Sequence, residues 1–339
     1  MSQSVDELIA DVLRASPDHV PGTRPIHAPG LAVKGTFRAT DVARRYTSAE
    51  HFAGAPVPVT VRFSNGTGQP GVADADPTLI RGMAVKFELK GRDTDMVGMT
   101  LPVFFVQTVE MFGEFCLAAT PTMVKPRPWW RKLVTMLQLR DEPADAAAGV
   151  LSAARGMYDF ARHYPPAAET VVALGTLRAP ESYSTCSYHL VHAFVLTAAD
   201  GTKRAVRFHW EPVDGVRAAP DGTEGDYLHA ALASRLQRGA VEFVLRMQVA
   251  EAGDDTADPT RAWSVARPRI VMGHLLLKTL VPADKAEKLL FNPNPGVAGI
   301  EMSDDPTLTV REAGYKRSFD LRCAGVPPAP SAPAEPART

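Results

Sequence analysis

Two blocks of strand-like segments on either side of a helical region constrain the fold of this chain more than any other feature. The first block consists of apolar runs that are rich in β-branched and aromatic residues and bounded by Gly and Pro, namely 31–37, 57–63, 81–89 and 99–107. Helical patterns follow at 109–119, 129–140 and 143–164. Strands return at 188–210, where Asp200-Gly201 marks a hairpin turn, and at 241–253. Because the elements come in blocks and do not alternate, the sequence predicts one α+β domain around an antiparallel barrel.

The two ends of the chain differ from this central part. Residues 5–15 carry apolar side chains at helical spacing, so we expect residues 1–20 to form an amphipathic helix and a linker. A helix is predicted from Pro306 to about Arg322, since a starting proline and acidic residues favour a helix N-terminus. The Pro/Ala-rich tail, 324–339, is predicted to be disordered, which leaves 21–323 as the folded domain.

Charge and cysteine content exclude several functional classes. The 339 residues include 37 Lys and Arg against 38 Asp and Glu, so no basic field attracts nucleic acid. Three scattered cysteines are too few for a disulfide framework or a thiolate zinc site. No apolar run reaches the roughly 18 residues that a membrane span needs, and the N-terminus does not resemble a secretory signal. We therefore expect a cytoplasmic protein without a membrane span.

Arg311 and Tyr315 form the most informative local pattern, because residues four apart share one face of a helix. A phenol, whose ordinary pKa is near 10, is a poor anionic ligand at neutral pH. A neighbouring arginine and a ferric ion both favour the phenolate. The pattern is therefore what a tyrosinate-ligated metal needs, although an ordinary contact on a helix surface would give the same spacing.

A histidine and several arginines in the N-terminal half are further candidates. His27 lies in the proline-fixed segment TRPIHAPG, and a rigidly held histidine suits proton transfer. Arg62 and Ser64 are two residues apart on a strand and face the same side. Arg62, Arg24 and Arg322 are candidates for binding carboxylates, since a buried arginine needs an anionic partner. A structural histidine and surface ion pairs are the alternative interpretations.

Together these segments resemble the catalase superfamily, in family order, over about Arg24 to Arg322. The matching motifs are R-x-x-H-A-x-G at 24–30, V-R-F-S at 61–64, R-G-x-A-x-K-F at 81–87, D-x-V-G at 95–98 with P-V-F-F at 102–105, and R-x-x-x-Y at 311–315. Each motif alone is weak, but five in order are not a chance match. The resemblance implies the catalase-type eight-stranded antiparallel β-barrel with surrounding α-helices.

The resemblance also implies a haem b site. Tyr is the axial haem ligand in catalases, so Tyr315 would ligate the iron, with Arg311 as its hydrogen-bond donor. His27 would be the distal acid/base, and Ser64 would orient its ring. The remaining implied haem contacts are Phe112 over the distal face, Ile26 at the access route, and Arg24, Arg62 and Arg322 at the propionates.

Met99 and the chain length depart from the family pattern. Full catalases have Asn where this chain has Met99, and a thioether cannot donate a hydrogen bond to peroxide. Loss of one preorganised donor lowers a rate by about 10²-fold or more, although Met99 also has the alternative interpretation of a packing substitution. The chain lacks the extensions of large catalases and so looks like the small catalase-related haem peroxidases.

These departures predict a peroxidase that uses organic hydroperoxides or hydrogen peroxide with an external small-molecule electron donor, with weak catalase activity at most. The alternative is a catalase-fold enzyme that rearranges fatty-acid hydroperoxides without a reductant. Haem storage or sensing is a third hypothesis, but it gives no reason for a rigid histidine beside an orienting serine. Without the tetramer-forming extensions, a homodimer is expected.

Overall fold

The computed structural model describes residues 22–66, 72–76, 79–119 and 160–323, together with residues 6, 7, 9 and 12. The predicted helix over 129–140, most of the one over 143–164, and the tail at 324–339 lie outside these residues. Most of the predicted N-terminal helix does so too, although residues 6, 7, 9 and 12 are helical. The proposed borders of the folded domain at 21 and 323 therefore stay predictions. No helix in the described ranges is long and apolar enough to cross a membrane.

Within these described ranges, nine strands form one antiparallel sheet. They are β1 (Gly30–Ala39), β2 (Val57–Asn65), β3 (Arg81–Phe87), β4 (Thr94–Met99), β5 (Tyr188–Thr197), β6 (Lys203–Pro212), β7 (Val241–Val249), β8 (Ile270–Val281) and β9 (Ile300–Met302). Their order is β4-β3-β2-β1-β8-β7-β6-β5-β9, and a further pairing of β4 with β5 closes the sheet. The fold is a closed eight-stranded antiparallel barrel to which β9 is added, as expected.

Five helices accompany the barrel in the described part of the chain. They are α1 (Val109–Ala119), α2 (Ala168–Thr176), α3 (Leu228–Gln237), α4 (Ala283–Ala286) and α5 (Pro306–Cys323). The starting proline of α5 and the hairpin between β5 and β6 agree with the sequence prediction. Gly201 in that hairpin has φ +83°, a conformation that glycine adopts without a steric penalty.

Side chains fill the inside of the barrel. Phe37 packs edge-to-face on Phe87 and Trp210, with ring centroids 5.1 and 5.9 Å apart, and all three are fully buried. Val61 and Phe63 of β2 also point inward, so Arg62 and Ser64 point to the outer face. Because buried side chains fill the interior of this eight-stranded barrel, a cofactor-sized ligand has no room inside it.

The strand predicted over residues 99–107 is wrong. The strand is β4, which ends at Met99, and the chain then leaves the sheet. Pro102 has no N–H for a ladder, and the N–H of Phe104 bonds instead to the carbonyl of Pro259 at 2.8 Å. β4 itself lies almost entirely before the predicted strand, and an ion pair of 2.8 Å joins its buried Asp95 to Lys86 on β3. Leaving the sheet allows the apolar residues after Met99 to line the cavity described next.

Candidate active site

A cavity of about 640 Å³ lies against the outer face of the barrel, between β2–β5 and helix α5. A cavity of this volume accommodates a cofactor-sized ligand. Its wall contains every residue that the sequence analysis singled out for the site: Arg24, Ile26, His27, Arg62, Ser64, Met99, Phe112, Arg311, Tyr315 and Arg322. The structure therefore brings together residues that span almost 300 positions of the sequence.

His27 is held in an unusual backbone conformation at the barrel side of the cavity. It has φ +61°, and it is the one non-glycine residue with positive φ in the described ranges. Such a conformation is unfavourable for a residue with a Cβ and is typical of functional positions. The Nδ1 atom of its ring lies 3.0 Å from the hydroxyl of Ser64. The predicted pairing of histidine and serine is therefore present.

The surroundings keep the His27 ring neutral. Burial, followed by the positive charges of Arg62 and Arg311, lowers the pKa of His27 to about 3. A neutral imidazole at pH 7 has a free nitrogen that accepts a proton. His27 thus has the protonation state that a base acting on a peroxide requires.

Arg311 and Tyr315 face the cavity from α5. Arg311 Nη2 donates a hydrogen bond of 3.2 Å to the hydroxyl oxygen of Tyr315. Arg311 Nη1 also contacts Nε2 of His192, and Nδ1 of His192 lies 2.6 Å from a carboxylate oxygen of Asp305. His192 and Asp305 are almost completely buried. The guanidinium beside Tyr315 is therefore held on its other side by a buried histidine and carboxylate.

His192 and Asp305 were not predicted from the sequence as site residues. The sequence indicated Asp305 only as an acidic residue at the start of a helix. In the structure it accepts hydrogen bonds from the N–H and the hydroxyl of Thr307 in the first turn of that helix. These bonds and the one with His192 hold the pKa of Asp305 low, although burial alone would raise it. Burial lowers the pKa of His192 to about 4, so its ring is neutral and accepts a hydrogen bond from Arg311.

Three arginines and one glutamate form a cluster at one edge of the cavity. Arg24 pairs with Glu287, and Arg62 Nη2 lies 3.5 Å from the same carboxylate. Arg24 and Arg322 both donate to the carbonyl of Leu289, at 2.9 and 3.1 Å. Burial, then the charges of Arg62 and Arg322, lowers the pKa of Arg24 to about 9. Three guanidinium groups and one carboxylate leave two positive charges in excess. Glu287 was not predicted from the sequence as a site residue.

This cluster, the apolar walls and the phenol together fit haem. The Nε atoms of Arg62 and Arg322 are buried and have no hydrogen-bond partner among the described residues, so the cluster has unused donors as well as unused charge. A haem has two propionates, which would compensate the two excess charges. Apolar side chains that include Ile26, Met99 and Phe112 line the body of the cavity, as a macrocycle requires.

Comparison with known proteins agrees with this geometry. A family model described as catalase matches residues 7–326. The chain is 34% identical over 322 residues to a catalase-related peroxidase of Mycolicibacterium paratuberculosis, which covers 92% of this chain and 93% of the relative. A catalase-related peroxidase of Synechococcus elongatus is 28% identical, with 90% and 85% covered. Catalase-2 of Bacillus subtilis is 29% identical, but the match covers only 44% of that longer protein. The chain therefore belongs to the catalase family, in its small catalase-related branch.

Proposed function

We propose that this chain is a haem b peroxidase that reduces organic hydroperoxides and hydrogen peroxide with electrons from a small-molecule donor, with weak catalase activity at most. Catalase-family proteins bind haem, and the two relatives matched along most of their length are named peroxidases. The enzyme class is thus an oxidoreductase acting on peroxide. The donor, the preferred hydroperoxide and the haem type belong to the proposal.

One observation carries the proposal: a neutral histidine and an arginine-paired tyrosine line the same cavity. In the proposed site Tyr315 ligates the iron as a phenolate, and the Arg311 N–H groups stabilise that anion. Arg24, Arg62 and Arg322 bind the two propionates. When bound, haem supplies an iron that takes up the two oxidising equivalents of the peroxide.

His27 moves the proton in this proposal. Its neutral ring takes the proton from the hydroperoxide O–H and returns it to the oxygen that leaves as alcohol or water. The hydroxyl of Ser64, 3.0 Å from Nδ1, fixes the ring orientation. The overall reaction takes one hydroperoxide, two electrons and two protons to one alcohol and one water.

Met99 supports the distinction between peroxidase and catalase. It is buried and lines the cavity, where a thioether cannot donate a hydrogen bond to a second hydrogen peroxide. The surrounding wall is largely apolar, which suits the organic part of an alkyl hydroperoxide. We expect donor-dependent reduction of an organic hydroperoxide to exceed hydrogen peroxide dismutation.

Substitution of the two key residues in the holoenzyme tests the proposal. Tyr315→Phe is expected to change the ferric haem spectrum and abolish activity; a normal spectrum with full activity would refute the assigned ligand. His27→Ala is expected to retain haem and to react with peroxide at least about 10²-fold more slowly. An undiminished rate would remove His27 as the base. Wild-type protein that dismutates hydrogen peroxide faster than it reduces an organic hydroperoxide would contradict the peroxidase assignment.

The alternative of a reductant-free rearrangement has no support from the relatives, which are named peroxidases or catalases. Incubation with a lipid hydroperoxide and no donor separates the two, because an epoxide or allene oxide product would identify the rearrangement. A homodimer and a cytoplasmic location stay predictions, and light scattering coupled to size exclusion tests the first.

A further inference from the structure

A second histidine, His189, lines the same cavity beside Met99. The two residues are direct partners at the β4–β5 pairing that closes the barrel, so their side chains point to the same outer face. They belong to a row of cross-strand partners that runs through Ser64, Gly82, Met99, His189 and His209. Gly82 lies beneath the ring of His27. Neighbouring strands are about 4.8 Å apart, so the backbone of His189, two strands away, lies about 10 Å from that of Gly82.

His189 is a polar group in a largely apolar part of the cavity wall. Within the described part of the chain no residue forms a hydrogen bond with its ring, and its one ring contact is with His209. Val191 on the same strand and the rings of Phe104 and Phe105 line the cavity too. Polar groups in buried sites bind a protein partner, water or a ligand. The site therefore suits a small molecule with an apolar body and one polar hydrogen.

Another histidine, His209, lies behind the ring of His189. The two rings stack, with centroids 5.7 Å apart and an interplanar angle of 20°. Nε2 of His209 lies 2.9 Å from a carboxylate oxygen of Glu211, whose side chain is 29% exposed. Arg246 and Arg269 flank this carboxylate. His209 is thus hydrogen-bonded to Glu211 and not to His189, whose ring nitrogens stay free of this pair.

We propose that His189 is the binding site for the hydroxyl of a phenolic electron donor and accepts its proton when the donor is oxidised. This inference rests on the proposed peroxidase function and names the class of its second substrate. A phenol has the required shape, an aromatic body and one acidic hydrogen. Burial, followed by the charges of His209 and Arg269, lowers the pKa of His189 to about 4, so the ring is neutral and free to accept a proton at pH 7.

The proposed reaction is balanced. Each phenol loses its O–H proton to His189 and one electron, and becomes a phenoxyl radical. The two protons that two phenols release are those consumed when the hydroperoxide is reduced to alcohol and water. Two phenols and one hydroperoxide give two phenoxyl radicals, one alcohol and one water, so no further oxidant or reductant is needed.

The experiment uses the haem-loaded protein and guaiacol as the phenol. Binding of guaiacol is measured without peroxide, from the paramagnetic broadening of its NMR lines, and reduction of the peroxide-treated protein is measured by stopped flow. His189→Phe keeps a planar ring but removes both nitrogens. We expect the Kd for guaiacol to rise about 5-fold, as for loss of one hydrogen bond. The rate of reduction by guaiacol should fall about 100-fold, as for loss of a general base.

Two further measurements distinguish proton acceptance from a structural effect. Ferrocyanide donates an electron without a proton, so His189→Phe should leave its oxidation unchanged. His189→Gln retains a hydrogen-bonding group but not a base, and should restore guaiacol binding while reduction stays slow. His274→Gln, at an exposed histidine on β8, is the matched control and should leave every rate unchanged.

Wild-type binding and reduction of guaiacol by His189→Phe would overturn the inference. A parallel loss of ferrocyanide and guaiacol oxidation would also overturn it, since it would show a general structural defect. Failure of the wild-type protein to react with any hydroperoxide, measured before a donor is added, would instead refute the proposed function.

Discussion

Gly82 lies directly beneath the ring of His27, so closely that a Cβ at this position would be 3.0 Å from His27 Cε1 and 2.9 Å from the hydroxyl of Ser64. Cβ atoms in proteins hardly ever approach other heavy atoms this closely. The absence of a side chain at this glycine of the R-G-x-A-x-K-F segment therefore leaves room for the histidine and the serine.

Gly82→Ala tests this relationship. The added methyl group should displace the His27 ring and break its hydrogen bond with Ser64. Because a misplacement of about 1 Å costs about 10²-fold in rate, we expect stopped-flow reaction with peroxide to slow by that order, with haem retained. Gly91→Ala is the matched control, since a Cβ there meets open space. Reaction of Gly82→Ala at the wild-type rate would show that the close packing is irrelevant to His27.

The positive φ of His27 predicts that this catalytic candidate lowers the stability of the folded protein. A left-handed conformation costs an L-residue about 1–2 kcal/mol, and glycine avoids this penalty. After allowing for the greater freedom of glycine in the unfolded chain, we expect haem-free His27→Gly to be about 1 kcal/mol more stable than His27→Ala. Denaturant unfolding measures the difference. Equal free energies of unfolding would show that the +61° conformation is not strained.

His51 predicts loss of stability in acid. It lies inside the barrel between the rings of Phe52 and Phe87, and neither of its nitrogens has a hydrogen-bond partner among the described residues. Burial lowers its pKa from the ordinary 6.5 to about 3. Between these two values the unfolded chain binds a proton that the folded protein does not. The stability that the folded protein has with neutral His51 is therefore fully present above pH 6.5 and is lost as the pH falls towards 3.

For His51 alone, the free energy of unfolding falls by about 1.4 kcal/mol per pH unit below the pKa of this histidine in the unfolded chain. His51→Leu removes the titration and replaces the two unpaired ring nitrogens by an apolar side chain. We expect its free energy of unfolding to fall less steeply between pH 6 and pH 4 than that of the wild type. Its reaction with peroxide should not change, because His51 is not part of the cavity wall. Equal slopes in the two proteins would contradict the assignment of His51 as a buried neutral group.

Asp305→Asn tests the support of Arg311. The two oxygens of Asp305 only accept hydrogen bonds, one from His192 and the other from Thr307. The side-chain amide of Asn has one donating group, its NH₂. If the NH₂ faces Thr307, it meets the N–H of Thr307, and two donors oppose each other. If the NH₂ faces His192, the His192 ring must change tautomer and then presents an N–H to Arg311. We expect a destabilisation of about 1–3 kcal/mol and a shifted ferric haem absorption band. Asp304→Asn, at the exposed neighbour, should change neither quantity.

Local spacing in the sequence predicted those site residues that belong to one element. The four-residue spacing on a helix paired Arg311 with Tyr315, and the two-residue period of a strand placed Arg62 and Ser64 on one face. Family order then joined these separate segments. The strand over 99–107 was wrong because apolar composition alone does not show whether such a run stays in a sheet or leaves it.

The missed residues depend on contacts between distant parts of the chain. His192 meets Arg311 across 119 positions and Glu287 meets Arg24 across 263. His189 acquires its place beside Met99 only because β5 closes the barrel against β4. No periodicity within one segment contains this information, and the motifs of the resemblance did not include these positions.

Glu287→Gln tests whether the arginine cluster has spare charge for propionates. The substitution keeps the shape of the side chain and raises the net charge of the cluster from two to three. Attraction for the propionates should increase, but Glu287 is 38% exposed and solvent screens it. We therefore expect haem to dissociate about 3-fold more slowly, an effect that weakens at high salt. Haem-free Glu287→Gln should also be less stable than the wild type, because three guanidinium groups then lack any carboxylate.

Transfer of haem to an excess of apomyoglobin measures the dissociation rate. Asp284→Asn is the control, because it removes a carboxylate from the exposed face of α4, three positions before Glu287. Slower dissociation in Glu287→Gln alone would show that Glu287 competes with the propionates for the arginines. Faster dissociation would show the opposite, that its carboxylate holds Arg24 and Arg62 in the positions that the propionates need.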